Sequence, residues 1–257
     1  MAHLRVYVEI GGDGGCLFYT FDPPGLLARG ASFEEALAAA PAEAARLRRF
    51  LAGGNLPGAA GNPPGAGGSL LGLLEEPWDD GDVPEFVMAE TIWARYQVAN
   101  GRTNATFEPD LIPVLRSEVP GFLAVLACIR TRLLALKDRI PPEAYAYRSL
   151  PRRKTIEEQL RHMADCDYWY LTRLWDGLPH LPRARDAWHK LDLNRRRALD
   201  KLENLSDAEL ALQRRKDREV WTTRKVFRRF PYHEKFHVDT VERDLGLFSA
   251  ERGLRLG

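Results

Sequence analysis

The feature that most constrains this chain is a change of hydrophobic period near residue 113. Upstream, apolar residues alternate over short stretches rich in β-branched and aromatic types, the two-residue repeat of strands. Residues 4–10 (LRVYVEI) and 16–21 read as two strands joined by the turn GGDGG at 11–15. Asp22-Pro23-Pro24-Gly25 is expected to break the second strand. Ser32, with Glu35 three residues on, forms a capping box that opens an alanine-rich helix over 33–51, bent or interrupted near Pro41. The Gly/Pro-rich stretch 53–68 reads as a loop. Phe86–Val98 and Arg102–Phe107 flank Asn100-Gly101, a hairpin signal, and are expected to return to the first sheet.

Downstream the period becomes helical. Four segments stand out: Glu118–Lys137, with Pro120 tolerated in the first turn; Thr155–Trp175, opened by the capping box Thr155-x-x-Glu158; about 183–203; and a helix from Thr222 to Leu245 stopped by Gly246. The expected architecture is an α+β N-terminal domain over 1–112 followed by an all-α four-helix bundle over 113–257. At 257 residues the chain is long enough for both.

Charge divides at the same place. Residues 1–112 carry 7 Lys+Arg against 15 Asp+Glu, whereas residues 113–257 carry 30 against 21. The runs Arg195-Arg196-Arg197, Arg214-Arg215-Lys216 and Arg228-Arg229 raise the question of nucleic acid, but they are interleaved with acids and read as solvated helix faces. The longest apolar run, Phe122–Ile129, is too short to span a bilayer, so no membrane role is expected. The N-terminus lacks the pattern of a secretory signal. Three cysteines without CxxC pairing argue against a disulfide framework, and a cytoplasmic setting is expected.

Of the six histidines, only His233 and His237 have metal-ligand spacing. At i and i+4 they share one face of the last helix, in a stripe with Val226, Phe230 and Val241. Such a pair serves either as metal ligands or as hydrogen-bonded core groups. His162, on the flank of the second helix's apolar arc, adds a third imidazole, which makes a three-nitrogen site with open positions for a divalent metal. His180 and His189 are expected in solvent and His3 at the surface. HEKFH at 233–237 also matches the HExxH protease motif, but its elongated form needs His at Arg243 and Gly at Thr240.

Glu234 falls inside the apolar arc of its helix. There it is a general base, a group orienting a histidine, or the partner of an arginine on a neighbouring helix. Asp167 is similarly placed. Cys166, one turn after His162, is a ligand, a nucleophile or a small buried residue. Trp169, Tyr170, Tyr232 and Phe236 are candidates for the wall of a pocket.

Two stretches, TIEEQLRHMADCDYWYLTRLW (155–175) and WTTRKVFRRFPYHEKFH (221–237), resemble the histidine helices of the DinB-like family over about residues 113–245. The resemblance implies a divalent metal (zinc, nickel, iron or manganese) held by His162, His233 and His237, completed by water. It also implies a small-molecule substrate, with thiol-dependent transferases and isomerases and metal-dependent hydrolases among the activities. VYVEIGG, FYTFDPPGLLARG and ASFEEALAAAPA resemble the HicB-like fold, some of whose members are antitoxins; no DNA-binding module follows here.

The residues themselves leave three functions open. A low-molecular-weight thiol attacks an electrophile, the route preferred from the resemblance. Alternatively, hydroxide attacks an ester or amide with Glu234 relaying the proton, or the bundle binds metal or a small ligand without catalysis.

Overall fold

The structure is a computed structural model that describes residues 3–21, 24–53, 84–98, 103–151, 153–179 and 183–253. Strands β1 (His3–Ile10), β2 (Cys16–Phe21), β3 (Pro24–Gly30) and β4 (Glu85–Trp93) form a mixed sheet in the order β3-β2-β1-β4. Strands β1 and β2 form the expected hairpin, with Tyr7 opposite Tyr19. Of the expected break at 22–25, residues 22–23 lie outside the described residues and Pro24 and Gly25 already belong to β3, which pairs antiparallel with β2. Pro24 costs little there because it opens an edge strand, and Gly25 takes φ +103°.

Strand β4 does return to the sheet, parallel to β1. Residues 103–107, expected as its hairpin partner, have no regular structure and lead into a 3-10 turn at Glu108–Leu111. The Asn100-Gly101 turn itself and the loop 54–68 lie outside the described residues. Helix α1 (Phe33–Gly53) starts as expected, with Glu35 N–H donating to Ser32 Oγ, and continues through Pro41.

The remaining helices are α2 (Val119–Lys137), α3 (Ile156–Leu174), α4 (Ala187–Glu203), the single turn α5 (Asp207–Leu210) and α6 (Thr223–Arg252). The four long ones match the expected count. Helix α6 runs past Gly246, where nothing crowds the backbone, and ends at Gly253 with φ +63°. Leu245 and Phe248, both buried, hold that last stretch in place. Between α5 and α6, strands β5 (Gln213–Lys216) and β6 (Glu219–Thr222) form a hairpin, so Arg214-Arg215-Lys216 is a strand and not a helix face.

The chain divides into two compact units: residues 1–128 with 206–228, and residues 129–205 with 229–257. In the first, Val6, Val8, Cys16 and Phe18 pack with Ala28 of β3 and with Ala36 and Ala40 of α1. The opposite sheet face is also covered. Tyr7, Phe21 and Tyr19 meet Phe107 at 5.6, 6.1 and 5.5 Å between ring centres.

Glu9 is fully buried on that face. It accepts from Tyr19 Oη at 2.9 Å, from the Tyr96 and Thr103 hydroxyls, and from backbone N–H groups of Asn104 and Ala105. A carboxylate so satisfied can be buried without a counter-cation. Arg228 lies over Tyr19, Phe21 and Phe107 and donates Nε and Nη2 to buried Asp110 at 2.9 and 2.7 Å. Arg228 is thus a core residue, contrary to the solvated face expected of Arg228-Arg229.

By length and composition the helix at Arg116–Lys137 is apolar enough to cross a membrane. Val125, Leu126 and Leu133 are nevertheless core residues, and Arg130 and Arg132 pair with acids of other helices.

Candidate metal centre

Within the second unit, α3 begins as the sequence predicts. Thr155 Oγ1 accepts from Glu158 N–H while Glu158 Oε2 accepts from Thr155 N–H. The apolar arc that follows (Ile156, Leu160, Met163, Ala164, Leu171, Leu174) is buried, which fixes the rotation of α3 and puts His162 at the edge of that arc. On α6, burial of Phe230, Val238 and Val241 turns His233 and His237 towards the same place.

The three imidazoles converge. His233 Nε2 lies 3.3 Å from His162 Nε2 and 3.1 Å from His237 Nε2, and one ligand atom from each residue falls within 4.8 Å of the others. Gln159, one turn before His162, brings Oε1 to 2.5 Å from His237 Nδ1. As an acceptor it holds the proton on Nδ1 and leaves the Nε2 lone pair facing the other two rings. Burial pushes the pKa of His162 below the usual histidine range, and Lys154 adds to this. Burial, then proximity to His237 and His162, pushes His233 well below it.

Neutral rings fit the cluster to a cation. A proton on His233 Nε2 could serve only one of its two neighbours, so at least one lone pair would face another nitrogen without a donor. A divalent ion satisfies all three together. Nitrogens about 2.1 Å from one ion stand about 3.0 Å apart at right angles and about 3.4 Å apart in a tetrahedron, which brackets the two separations from His233. His162, His233 and His237 therefore form a possible metal site, as their spacing predicts.

The surroundings are aromatic on one side. Tyr170 packs 5.7 Å from His233 and Phe236 5.1 Å from His237, ring centre to ring centre. Trp169, expected in the same wall, is exposed; it meets Tyr170 edge-on and lies under the Arg173 guanidinium. Tyr232 is buried. Cys166 Sγ approaches the His162 ring at 3.7–3.8 Å, and burial pushes its thiol up to about 12, so it is protonated at neutral pH. His3 is exposed against Glu85, as expected of a surface histidine. His189 is half-buried, its Nδ1 accepting from Arg185 N–H, and His180 lies outside the described residues.

Glu234, next to His233, is buried in a four-membered charge cluster. Arg130 of α2 approaches it at 2.7 Å, and Arg195 of α4 donates to its other oxygen. Arg195 also binds both oxygens of Asp167 on α3, at 3.0 and 3.2 Å, and Arg130 lies 3.5 Å from that carboxylate. Two cations and two anions from four helices thus neutralise one another. Burial raises the Asp167 pKa against the pull of Arg195 and Arg130, and burial lowers that of Arg130. Arg195, expected in a solvated run, is buried because this pairing compensates its desolvation.

Gln159, Arg130 and Arg195 were not singled out as site residues from the sequence. Gln159 could have been found from its place one turn before His162 on the same helix.

Residues 126–241 match the DinB superfamily. This DinB-like region contains all three histidines, Gln159 and the charge cluster. Metal binding is typical of the superfamily, which agrees with the donor set found here. Neither the curated proteins nor the solved structures contain a match to the chain.

Proposed function

We propose that the DinB-like region is a four-helix bundle whose three histidines hold a divalent zinc, nickel, iron or manganese ion for a thiol-dependent transfer to a small-molecule electrophile. The observation that carries this reading is the convergence of three imidazole nitrogens, one of them oriented by Gln159. A three-nitrogen metal with open positions supplies a place where a thiol ionises near neutral pH. Gln159 holds the donor atom of His237 in place, and Tyr170 and Phe236 give the site its apolar flank.

The surroundings of Glu234 favour this route over hydrolysis with Glu234 as the base. A base for bound water needs a free carboxylate oxygen within reach of the attacking group. Both oxygens of Glu234 face guanidinium groups instead. We therefore assign Glu234 a positioning part, holding His233 and the helix that carries it. The same engagement weighs against a peptidase reading of HEKFH. Residues 1–112 fit a HicB-like domain in their sheet and helix order, and the reading places the protein in the cytoplasm with no nucleic-acid partner.

The test is metal analysis of the purified protein, then an activity screen with bacillithiol, mycothiol and glutathione, with and without chelator. About one ion per chain and chelator-sensitive turnover with one thiol are expected. Full metal occupancy in His162→Ala would remove the site, and turnover with water alone would favour the hydrolase.

A further inference from the structure

The second unit contains a cavity of about 360 Å³ whose wall is built from α2, α4 and the approach to α4. Four cationic side chains line it: Arg130, Lys137, Arg185 and Arg195. Two are the arginines of the charge cluster, and one of them keeps a donor to spare. Arg195, only 6% exposed, has no hydrogen-bond partner for Nη1, whereas Arg130 faces Glu234 through Nε and Asp167 through Nη2. An unused guanidinium N–H withdrawn from water is costly unless something in the cavity accepts from it.

The acids on the same wall are already committed. Asp186 caps α4 by accepting from His189 N–H at 2.8 Å, and that bond holds its carboxyl below the usual range. Asp192 pairs with Arg196 at 2.8 Å. Among the described residues, Arg185 makes no side-chain ion pair, and Lys137 has only the Trp188 ring at 5.7 Å. Besides His189, the rest of the wall is apolar: Leu134, Trp188, anchored by its Nε1–H to Tyr145 Oη at 2.8 Å, and buried Leu191.

We propose that this cavity is a second ligand site, separate from the histidine cluster, for a small organic oxyanion. The phosphate or carboxylate head takes the unused Nη1 donors of Arg195, with Lys137 and Arg185 closing over it. The apolar body lies against Trp188 and Leu191. Guanidinium forks match both kinds of head group geometrically, and the volume exceeds what a bare inorganic anion fills.

The experiment is calorimetric titration at constant ionic strength with phenyl phosphate, benzoate and inorganic phosphate. Metal-loaded and chelator-stripped protein are compared. Saturable binding of phenyl phosphate or benzoate, tighter than inorganic phosphate and equal in the two forms, is expected. The tighter of the two identifies the head group.

Arg185→Ala and Lys137→Ala, both on exposed side chains and outside the charge cluster, should each weaken binding about five- to tenfold. The double variant should lose at least about thirtyfold while keeping the wild-type thermal transition. Binding that vanishes with the metal would put the anion on the histidine site and overturn the proposal. So would binding unchanged in the double variant, or no saturable binding of either organic anion.

Discussion

Replacing Gln159 with Leu removes one hydrogen bond and no metal ligand. Oε1 sits 2.5 Å from His237 Nδ1 and is buried with it. Without that acceptor, His237 can carry its proton on Nε2, the nitrogen that faces His233 at 3.1 Å, and the ring can turn. Loss of such an orienting partner costs about 10- to 100-fold in metal affinity, which is about 1.4 to 2.8 kcal/mol. Leu is close to Gln in volume, so packing around α3 should change little.

Competition against a chromophoric chelator at pH 7.5 measures the affinity directly. Gln159→Glu keeps an acceptor and should retain wild-type affinity or exceed it. A Gln159→Leu protein that binds the ion as tightly as wild type would refute the argument that Gln159 selects the His237 tautomer.

Three other outcomes follow from the same geometry. Glu234→Ala leaves two buried guanidiniums facing Asp167 alone and should cost about 3 to 5 kcal/mol in chemical denaturation; Glu234→Gln should cost less and keep the metal, since no ligand is removed. Because burial keeps His162 and His233 neutral in the folded chain, the unfolded chain binds more protons below about pH 6.5. Metal-free stability should then be level at higher pH and decline as pH falls through 6.5 towards the folded values, by up to about 1.4 kcal/mol per pH unit for each histidine. A metal-free transition temperature constant from pH 7.5 to 5 would contradict this. In the first unit, Tyr19→Phe removes one donor from buried Glu9 and should cost about 1 to 3 kcal/mol, measured by thermal unfolding.

Some features were legible because their chemistry is local. The His233/His237 pair follows from helical spacing, and the start of α3 follows from the Thr155–Glu158 box. The β5–β6 hairpin was not legible because its turn uses Asp217 and Arg218 at φ 54° and 66°, where the expected residues are Asn and Gly. Burial of Arg195 and Arg228 was hidden for another reason. A charge run looks solvated unless its partners are known, and those partners are Asp167, Glu234 and Asp110, far away in sequence. Glu234 was recognised as buried from its helical angle, but the identity of its partners required the fold. Gly246 misled because the buried neighbours Leu245 and Phe248 outweigh its weak helix propensity.

The pairing of Asp110 with Arg228 also sets an order of events at the ribosome. The two residues are 118 positions apart, so at about 5 to 20 residues per second roughly 6 to 24 s separate their synthesis. During that interval the strands of the first sheet, the Glu9 hydrogen bonds and the Phe107 aromatic cluster can all form. Asp110 cannot yet have its cation, and the rings of Tyr19, Phe21 and Phe107 lack the guanidinium that later covers them. A segment synthesised late, 206–228, thus finishes the first unit to begin. A nascent chain arrested before residue 206 should hold an incomplete N-terminal unit, open to proteases and chaperones until α6 arrives.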